Sequence, residues 1–554
     1  MNEIPVIIIG GGSVGLTLAS ELGWRGVNCF VAEQSSGLNP HPRANAVANR
    51  TMEYYRRWGI DKAITQAGVP PDHLADYYWV SSLHGRELHR ISLPPYKKIK
   101  EVNDKSGYVK EEHAWSPYLK TITGQNEVEK VLLDYVEKFE NVDVRFNCKL
   151  LSHVQDDQGV ICELKDLKTH ETNKIRCQYL LACDGGRSEV REDLGIGLSG
   201  RSNMARFVSI YFKAPDLMAC HKFGDANIFF PLHKNYAGFI LNWDSGTTFT
   251  YHLMLKNTEE WNSVDPVAAI EAVLGEKTSI EIISTQPWSA HALVAERYHQ
   301  KRVFLVGDAA HLFTPTGGFG MNTGVSDAID IAWKIQAVLE GWGGNKLLES
   351  YFSERHPIGV RNTEEAADCF NRLSSVMKYG DELDEEGPRG DAFRAKLGVE
   401  LKDQEKLISS SGTLLGYRYE GSSIIVPDGT KEPADDPRTY VAIARPGHRA
   451  PHIWLEEGIS LFDKLGSGFT LLIFGDCSER AEPMQEAANI IGLPLDIITI
   501  NDPDAIRLYE YQFVIVRPDL MVAWRSNSLP KNPVETFDIL RGEDPKECEP
   551  TFIS

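Results

Sequence analysis

The 554-residue chain contains no apolar run long enough to cross a bilayer, which argues against a helical membrane protein. Positive charge is in short supply: 58 lysines and arginines face 78 aspartates and glutamates, a net charge of −20. A surface that acidic speaks against nucleic acid or an anionic membrane as partner. There is no CxxC. The nine cysteines, Cys29, Cys148, Cys162, Cys177, Cys183, Cys220, Cys369, Cys477 and Cys548, are scattered and odd in number. That pattern suits reduced thiols in a cytoplasmic protein better than a disulfide framework or a zinc site. Met1-Asn2-Glu3 leads straight into a strand, without the basic region or cleavage site of a signal peptide. Among 16 histidines the single HxxxH pair is His448 and His452, and Pro446 and Pro451 disfavour the helix that would present both to a metal, so no metal is expected. Repeats and low-complexity tracts are missing as well. What remains is an ordinary soluble composition, 42% hydrophobic and 25% charged, long enough for about two to four domains.

Residues 5–9 form a short, apolar, β-branched run, as a buried parallel strand requires. The run enters Gly10-Gly11-Gly12-Ser13-Val14-Gly15, and a helix follows with Val14, Leu18 and Leu22 on one face. A second strand, 27–32, ends at Glu33, eighteen positions beyond Gly15. This is GxGxxG in a complete strand–helix–strand unit. Gly10 permits the tight turn, Gly12 lets backbone reach a pyrophosphate, and Gly15 allows the helix to pack closely. The Glu33 carboxylate is placed to accept hydrogen bonds from an unphosphorylated ribose, which favours FAD or NAD over NADP at this fingerprint.

A second cradle occupies residues 302–335, RVFLVGDAAHLFTPTGGFGMNTGVSDAIDIAWKI. A buried strand at 303–306 breaks at Gly307-Asp308. A loop with Pro315, Gly317, Gly318 and Gly320 then leads to a long helix starting near Met321, with Val325, Ile329 and Trp333 at helical spacing. Glycines let backbone approach a flat ligand, and the helix N-terminus offers unpaired N–H groups and partial positive charge. A third strand, 179–182, ends at Asp184-Gly185, with Arg187 and Arg191 just beyond. The two mirrored dipeptides put a carboxylate and a glycine at the carboxyl edge of a sheet, where open α/β sheets bind ligands.

Elsewhere the pattern is coarser. A helix with Met52, Tyr55 and Trp58 follows the Arg43-Ala44 loop, and another beginning near Gln125 carries Val128, Val131, Leu132 and Val136 on one face. Residues 70–110 look like an insertion rather than sheet core. Runs at 207–212, 227–230, 236–243 and 247–255 suggest a mostly antiparallel sheet with aromatics toward an apolar ligand. A charged, glycine- and proline-containing linker surrounds 381–390. Beyond it, strands at 440–443, 468–474, 495–500, 513–517 and 521–524 compose an α/β module.

With GGGSVG plus Glu33, CDGGRSEVR, and VFLVGDAAHLFTPTGGFGMNTGVSDAIDIAWK in that order, the chain resembles the FAD-dependent aromatic hydroxylases, the single-component flavoprotein monooxygenases. The resemblance covers residues 1–375, including Tyr351, Glu354, Arg355 and Pro357; Ser326 departs from it, standing where many members have glutamine. RPGHRAPHIWL, 445–455, is similar to the phenol-hydroxylase branch, which appends a thioredoxin-like domain; lacking CxxC, that domain is expected to be structural or to act in assembly. The implied fold is α/β overall. A Rossmann-like FAD domain takes 1–75, 111–200 and 290–375, and an interleaved antiparallel-sheet substrate domain takes 76–110 and 201–289. A linker at 376–400 leads to a thioredoxin-like α/β domain at 401–554.

The resemblance also assigns cofactor contacts: Gly10, Gly12, Ser13, Val14, Gly15, Glu33, Gln34, Arg43, Gln125, Asp184, Gly185, Gly307, Asp308, Pro315, Gly318, Gly320, Met321 and Asn322. Asp308 would meet the ribityl chain, Gln125 a phosphate or ribose, and the backbone of 318–322 the pyrimidine side of the isoalloxazine. Arg187 and Arg191 are expected near NAD(P)H. The implied reaction is reduction of FAD by NADPH or NADH, dioxygen addition to give a flavin hydroperoxide, and transfer of one oxygen to a phenolic or polyketide-type aromatic. With one dinucleotide fingerprint only, the pyridine nucleotide must bind transiently. Candidates for a base are Tyr211, His233, Tyr236, His252 and His291, none preferred, while His311 is expected to order its loop and Pro315 to set it over the flavin. Epoxidation or Baeyer–Villiger oxidation by the same cofactor chemistry stays open, as does, more distantly, a non-catalytic FAD-stabilised binding protein. Halogenation fits less well, since WxWxIP is absent. A homodimer without nucleic acid or membrane span, located in the cytoplasm, completes the expectations.

Overall fold

The computed structural model describes residues 2–544 apart from 71, 74–75, 94–114, 119, 225, 245, 257–258, 378–380, 405–409 and 476–480. Residues 94–110 of the expected insertion, and Cys477 and Cys548, therefore lie outside the described residues. Two eight-stranded sheets and one four-stranded sheet organise the rest. The first has a parallel centre in the order Val303–Leu305, Thr172–Ala182, Asn2–Ile9, Cys29–Glu33 and Val142–Phe146. Val6, Ile7 and Ile8 are fully buried, as expected of a central strand covered on both faces. Helix Ser13–Trp24 packs against the 21-residue helix Phe319–Leu339. Their approach depends on glycine, since a Cβ on Gly324 would lie 2.6 Å from Val14 Cγ2; Gly15 in turn lets its helix sit against the preceding turn, where a Cβ would lie 1.9 Å from the Gly10 carbonyl oxygen.

The second sheet runs His311–Leu312, Glu281–Ala295, Leu198–Lys213, Thr248–Met254, Gly238–Asn242, Ile228–Pro231, Tyr77–Val80, Glu87–Ile91. Period-two alternation sorts its faces. Val208, Ile210 and Phe212 pack with Ile270 and Val273 of helix Pro266–Leu274, while Phe207 and Ser209 face the other way, toward a cavity. Three expectations need correction. Residues 77–91 are a hairpin of this sheet, not an insertion apart from it, because Tyr78 and Trp79 are buried core residues. The stretch expected as a linker carries helix Pro388–Lys402, whose Leu397 and Leu401 pack with Trp79 and Phe230. Strands Leu198–Lys213 and Glu281–Ala295 also run through positions 200 and 289, so the second sheet extends past both expected boundaries.

The C-terminal sheet, Leu495–Ile500, Phe469–Phe474, Phe513–Val516 and Val522–Ser526, is mixed and of the thioredoxin-like kind. Residues 440–443 form no strand; of the four only Tyr440 is buried, where it takes a hydrogen bond from Arg449 Nη1 at 3.0 Å, and Val441 is exposed. Among the described residues no helix is long and apolar enough to cross a membrane.

Candidate active site

A cavity of about 690 Å³ runs from the first glycine loop, past the loop after Gly307, to the inward face of the second sheet. Two helices open into it with glycine N-caps, Gly12 and Gly318, and neither has a side-chain cap. The first-turn N–H groups of both are thus available to a ligand, except that Ser13 N–H donates to Glu129 Oε1 at 3.0 Å. Gly10, at φ +104°, has no room for a side chain, since a Cβ would sit 2.3 Å from the Cys183 carbonyl oxygen.

Of the expected cofactor residues, Gly12, Ser13, Val14, Glu33, Arg43, Gln125, Gly185, Asp308, Pro315, Gly318, Gly320 and Met321 line this one cavity. Glu33 accepts from Gly11 N–H and Ser35 N–H, each at 2.7 Å. Asp308 projects into the cavity, its side chain accessible from the cavity but surrounded by protein. That enclosure raises its pKa, opposed by His311 and Arg43. Gly10, Gly15 and Gly307 lie behind the wall. Asn322 is there too, its side chain holding the loop together: Oδ1 accepts from Ala48 N–H at 2.8 Å, and Nδ2 donates to the Gly318 carbonyl at 2.7 Å. Asp184 Oδ2 accepts from Val190 N–H at 3.2 Å, and Oδ1 is buried with no hydrogen-bond partner among the described residues. Gln34 and Arg187 are exposed outside the cavity. Arg191 is buried, its Nη1 donating to the carbonyls of Gly186 and Ala309, so it ties one acidic loop to the other and is not free for a nucleotide.

His311 is fully buried, and its Nε2 lies 2.5 Å from Asp327 Oδ2. Asp327 also accepts from Arg355 Nε at 2.7 Å and from Gly307 N–H at 3.3 Å. Burial alone would raise the Asp327 pKa, but Arg355 and His311 outweigh it and hold the carboxyl below its usual range. His311 therefore orders the loop. His448 pairs with Glu432 and His452 with Ser460, so neighbours divide the HxxxH pair.

The far end is aromatic. Phe207 stacks on Trp288 with centroids 4.3 Å apart and planes 7° apart, and Phe239 lies 4.6 Å from His252. Of the five base candidates, His252 and His291 line the cavity; Tyr211, His233 and Tyr236 do not. Sequence reasoning passed over Glu129, Lys120 and His41, which also line it. Glu129 had a signal, lying one helical turn beyond Gln125, which donates to it at 2.8 Å. His41 bridges Ser284 Oγ and Ser209 Oγ at 2.7 and 2.8 Å, a contact between distant segments that carries no local signature.

An FAD fits these residues: glycine-lined, uncapped helix N-termini suit a pyrophosphate and an electron-rich ring edge, Glu33 and Asp308 suit hydroxyl groups, and the aromatic wall suits a flat substrate. Comparison with known proteins agrees. Residues 3–366 match the family described as FAD binding domain, and 444–538 match the one described as aromatic-ring hydroxylase, C-terminal. A 4-methyl-5-nitrocatechol 5-monooxygenase from a Burkholderia species is 30% identical over 96% of this chain and 95% of its own length. The rebeccamycin biosynthetic enzyme RebC, solved with reduced flavin, is 33% identical with a TM-score of 0.89, covering 98% of this chain and 99% of RebC. Aklavinone-11 hydroxylase, solved in a ternary complex with FAD and aklavinone, is 27% identical with a TM-score of 0.79, covering 98% and 99% respectively.

Proposed function

The chain belongs to the FAD-dependent aromatic-ring hydroxylases, and from that premise we propose that it hydroxylates a phenolic or polyketide-type aromatic with NAD(P)H and dioxygen. The observation that carries the reading is the single cavity that joins two uncapped helix N-termini and two inward carboxylates to an aromatic wall. Bound FAD supplies the electron transfer from NAD(P)H and the activation of dioxygen.

The chain supplies the rest. Glu33 receives the adenosine ribose, Gly12 and Ser13 the pyrophosphate, Asp308 the ribityl hydroxyls, and the amides of Gly320 and Met321 the electron-rich edge of the ring, while Arg43 and Gln125 flank the phosphates. Their positions on one cavity wall support these roles. Arg187, exposed just beyond Gly186, is the residue proposed to meet NAD(P)H. Phe207, Phe239 and Trp288 displace water from the reacting face. The first sheet serves FAD and the second the substrate, and the C-terminal module braces both. A cytoplasmic enzyme, where reduced nicotinamide is made, accords with the free thiols Cys29, Cys148, Cys162, Cys177, Cys183 and Cys369.

The test is direct. Purified protein should be yellow and should consume NAD(P)H and dioxygen slowly until an aromatic is added. The product should gain one oxygen with its ring retained, whereas a lactone or epoxide would shift the reading to the other oxygen insertions. Colourless protein, or FAD that no nicotinamide reduces, would overturn it.

A further inference from the structure

One row of side chains crosses the second sheet beneath the aromatic end of the cavity. Phe239 pairs with His252, His252 with Ser209, and Ser209 with Gln286, and all four line the cavity. Trp288 Nε1 donates to His252 Nδ1 at 3.3 Å. An indole nitrogen can only donate, so His252 Nδ1 must be the unprotonated acceptor and the ring proton must sit on Nε2. Among the described residues no hydrogen-bond partner takes up Nε2, and that atom is not sealed in the protein, so it opens to the cavity. Burial, and secondarily His41, pull the His252 pKa down to about 3, which agrees with a ring that stays neutral. A neutral imidazole whose basic nitrogen is already occupied and whose N–H faces the ligand is poorly suited to remove a phenolic proton.

We propose that His252 is a substrate-binding hydrogen-bond donor, and that the site takes flat, multi-ring aromatics bearing a ring-conjugated carbonyl oxygen opposite its Nε2–H. This rests on the hydroxylase reading above. The plane for the rings comes from the near-parallel Phe207–Trp288 stack and from Phe239. A carbonyl is the group that satisfies a donor in so apolar a wall, because leaving the N–H unpaired on ligand binding forfeits its hydration. Trp288, besides lining the cavity, sets the tautomer of His252.

The experiment uses the FAD-loaded enzyme and two matched probes, 1-hydroxyxanthone and 1-hydroxyxanthene, which differ in a carbonyl against a methylene. Affinities are read from the perturbation of the flavin absorption spectrum. The native protein should prefer the ketone by about threefold to tenfold, the span of one hydrogen bond. His252→Phe should erase that preference, bringing the two probes to equal affinity. His252→Gln, which can still present an N–H, should keep part of it, and Trp288→Phe should reduce it. If His252→Phe loses FAD, the comparison of His252→Gln with Trp288→Phe decides. Equal loss of both probes in the variants, an unchanged preference, no preference in the native enzyme, or binding of neither probe would overturn the proposal. FAD content and reduction by NAD(P)H, measured on the same samples, report separately on the hydroxylase reading.

Discussion

Arg517 Nη1 donates to Glu354 Oε1 at 2.6 Å, joining the hairpin turn of the C-terminal sheet to the helix Glu349–Val376 that backs the glycine loop. Both side chains are fully buried, and they are not alone. Lys334 Nζ reaches Asp330 and Glu354 at 2.7 Å, and Arg517 Nη2 also holds Asp519 at 2.7 Å. Arg355, beside Tyr419 on this chain of charges, carries the connection to Asp327 and thence to Gly307. A module that has no redox cysteine pair is thus built into the loop that faces the cavity.

Arg517→Leu should therefore be costly. Removing one cation leaves Asp519 buried without its partner and Glu354 with Lys334 alone, and an uncompensated buried charge typically costs about 3–5 kcal/mol. Denaturant unfolding should show a lower midpoint and still one transition for the whole chain. A separate early transition of the C-terminal module in the native protein would mean that the charges do not couple it to the rest.

Asp308→Ala should lose FAD. A carboxylate hydrogen bond to a ligand hydroxyl is worth roughly 1.5–3 kcal/mol, so fluorescence titration of apoprotein should give an FAD affinity about 10- to 100-fold weaker. Native-like flavin occupancy would remove Asp308 from the site.

Gly324→Val should be worse than a helix-propensity change. Already its Cβ would press on Val14 Cγ2 at 2.6 Å and on Gly307 Cα at 3.1 Å, forcing apart the helix and loop that line the cavity. Thermal unfolding and flavin retention should fall together, even though helix propensity alone favours valine over glycine by a few tenths of a kcal/mol or so in an exposed helix. A variant that keeps both would show that the two helices have room to separate.

Acid should destabilise the protein from pH 6.5 downward. Burial, then Arg43, draws His41 down to about 4, and burial, then His41, draws His252 down to about 3, from 6.5. Between those values only the unfolded chain takes up the protons, so stability is full above pH 6.5 and declines as pH falls. Each histidine should account for about 1 kcal/mol of loss between pH 7 and 5.5. His41→Asn and His252→Phe should each make the fall in denaturation midpoint over that interval shallower. An unchanged slope in both would mean that these rings protonate freely in the folded state.

Much of the cofactor half was legible in the chain itself, because its chemistry is local. Gly10 through Glu33, and Gly307 through Asn322, each put turn, carboxylate and helix start within one supersecondary unit, so spacing alone specifies geometry. The same reasoning over-assigned Arg191, since a short motif does not say which way an arginine points. Burial beneath two carbonyls decided that. Residues 440–443 show a related error, where a continuous apolar run found no partner strand and only Tyr440 is buried. Helix Pro388–Lys402 was hidden because its charged and apolar residues are barely segregated around it, and only Leu397 and Leu401 are drawn into the core.

The sequence by itself determined that a dinucleotide-type cradle and a second glycine cradle would stand at the edge of one parallel sheet, since each is a contiguous stretch whose glycines admit few other conformations. Only the tertiary structure decided what faces them. Phe207, Phe239, His252 and Trp288 come from four separate strand segments, and nothing in their local spacing announces a common wall. The proton on His252 is placed by an indole 36 positions away, a contact that exists only once the sheet has paired.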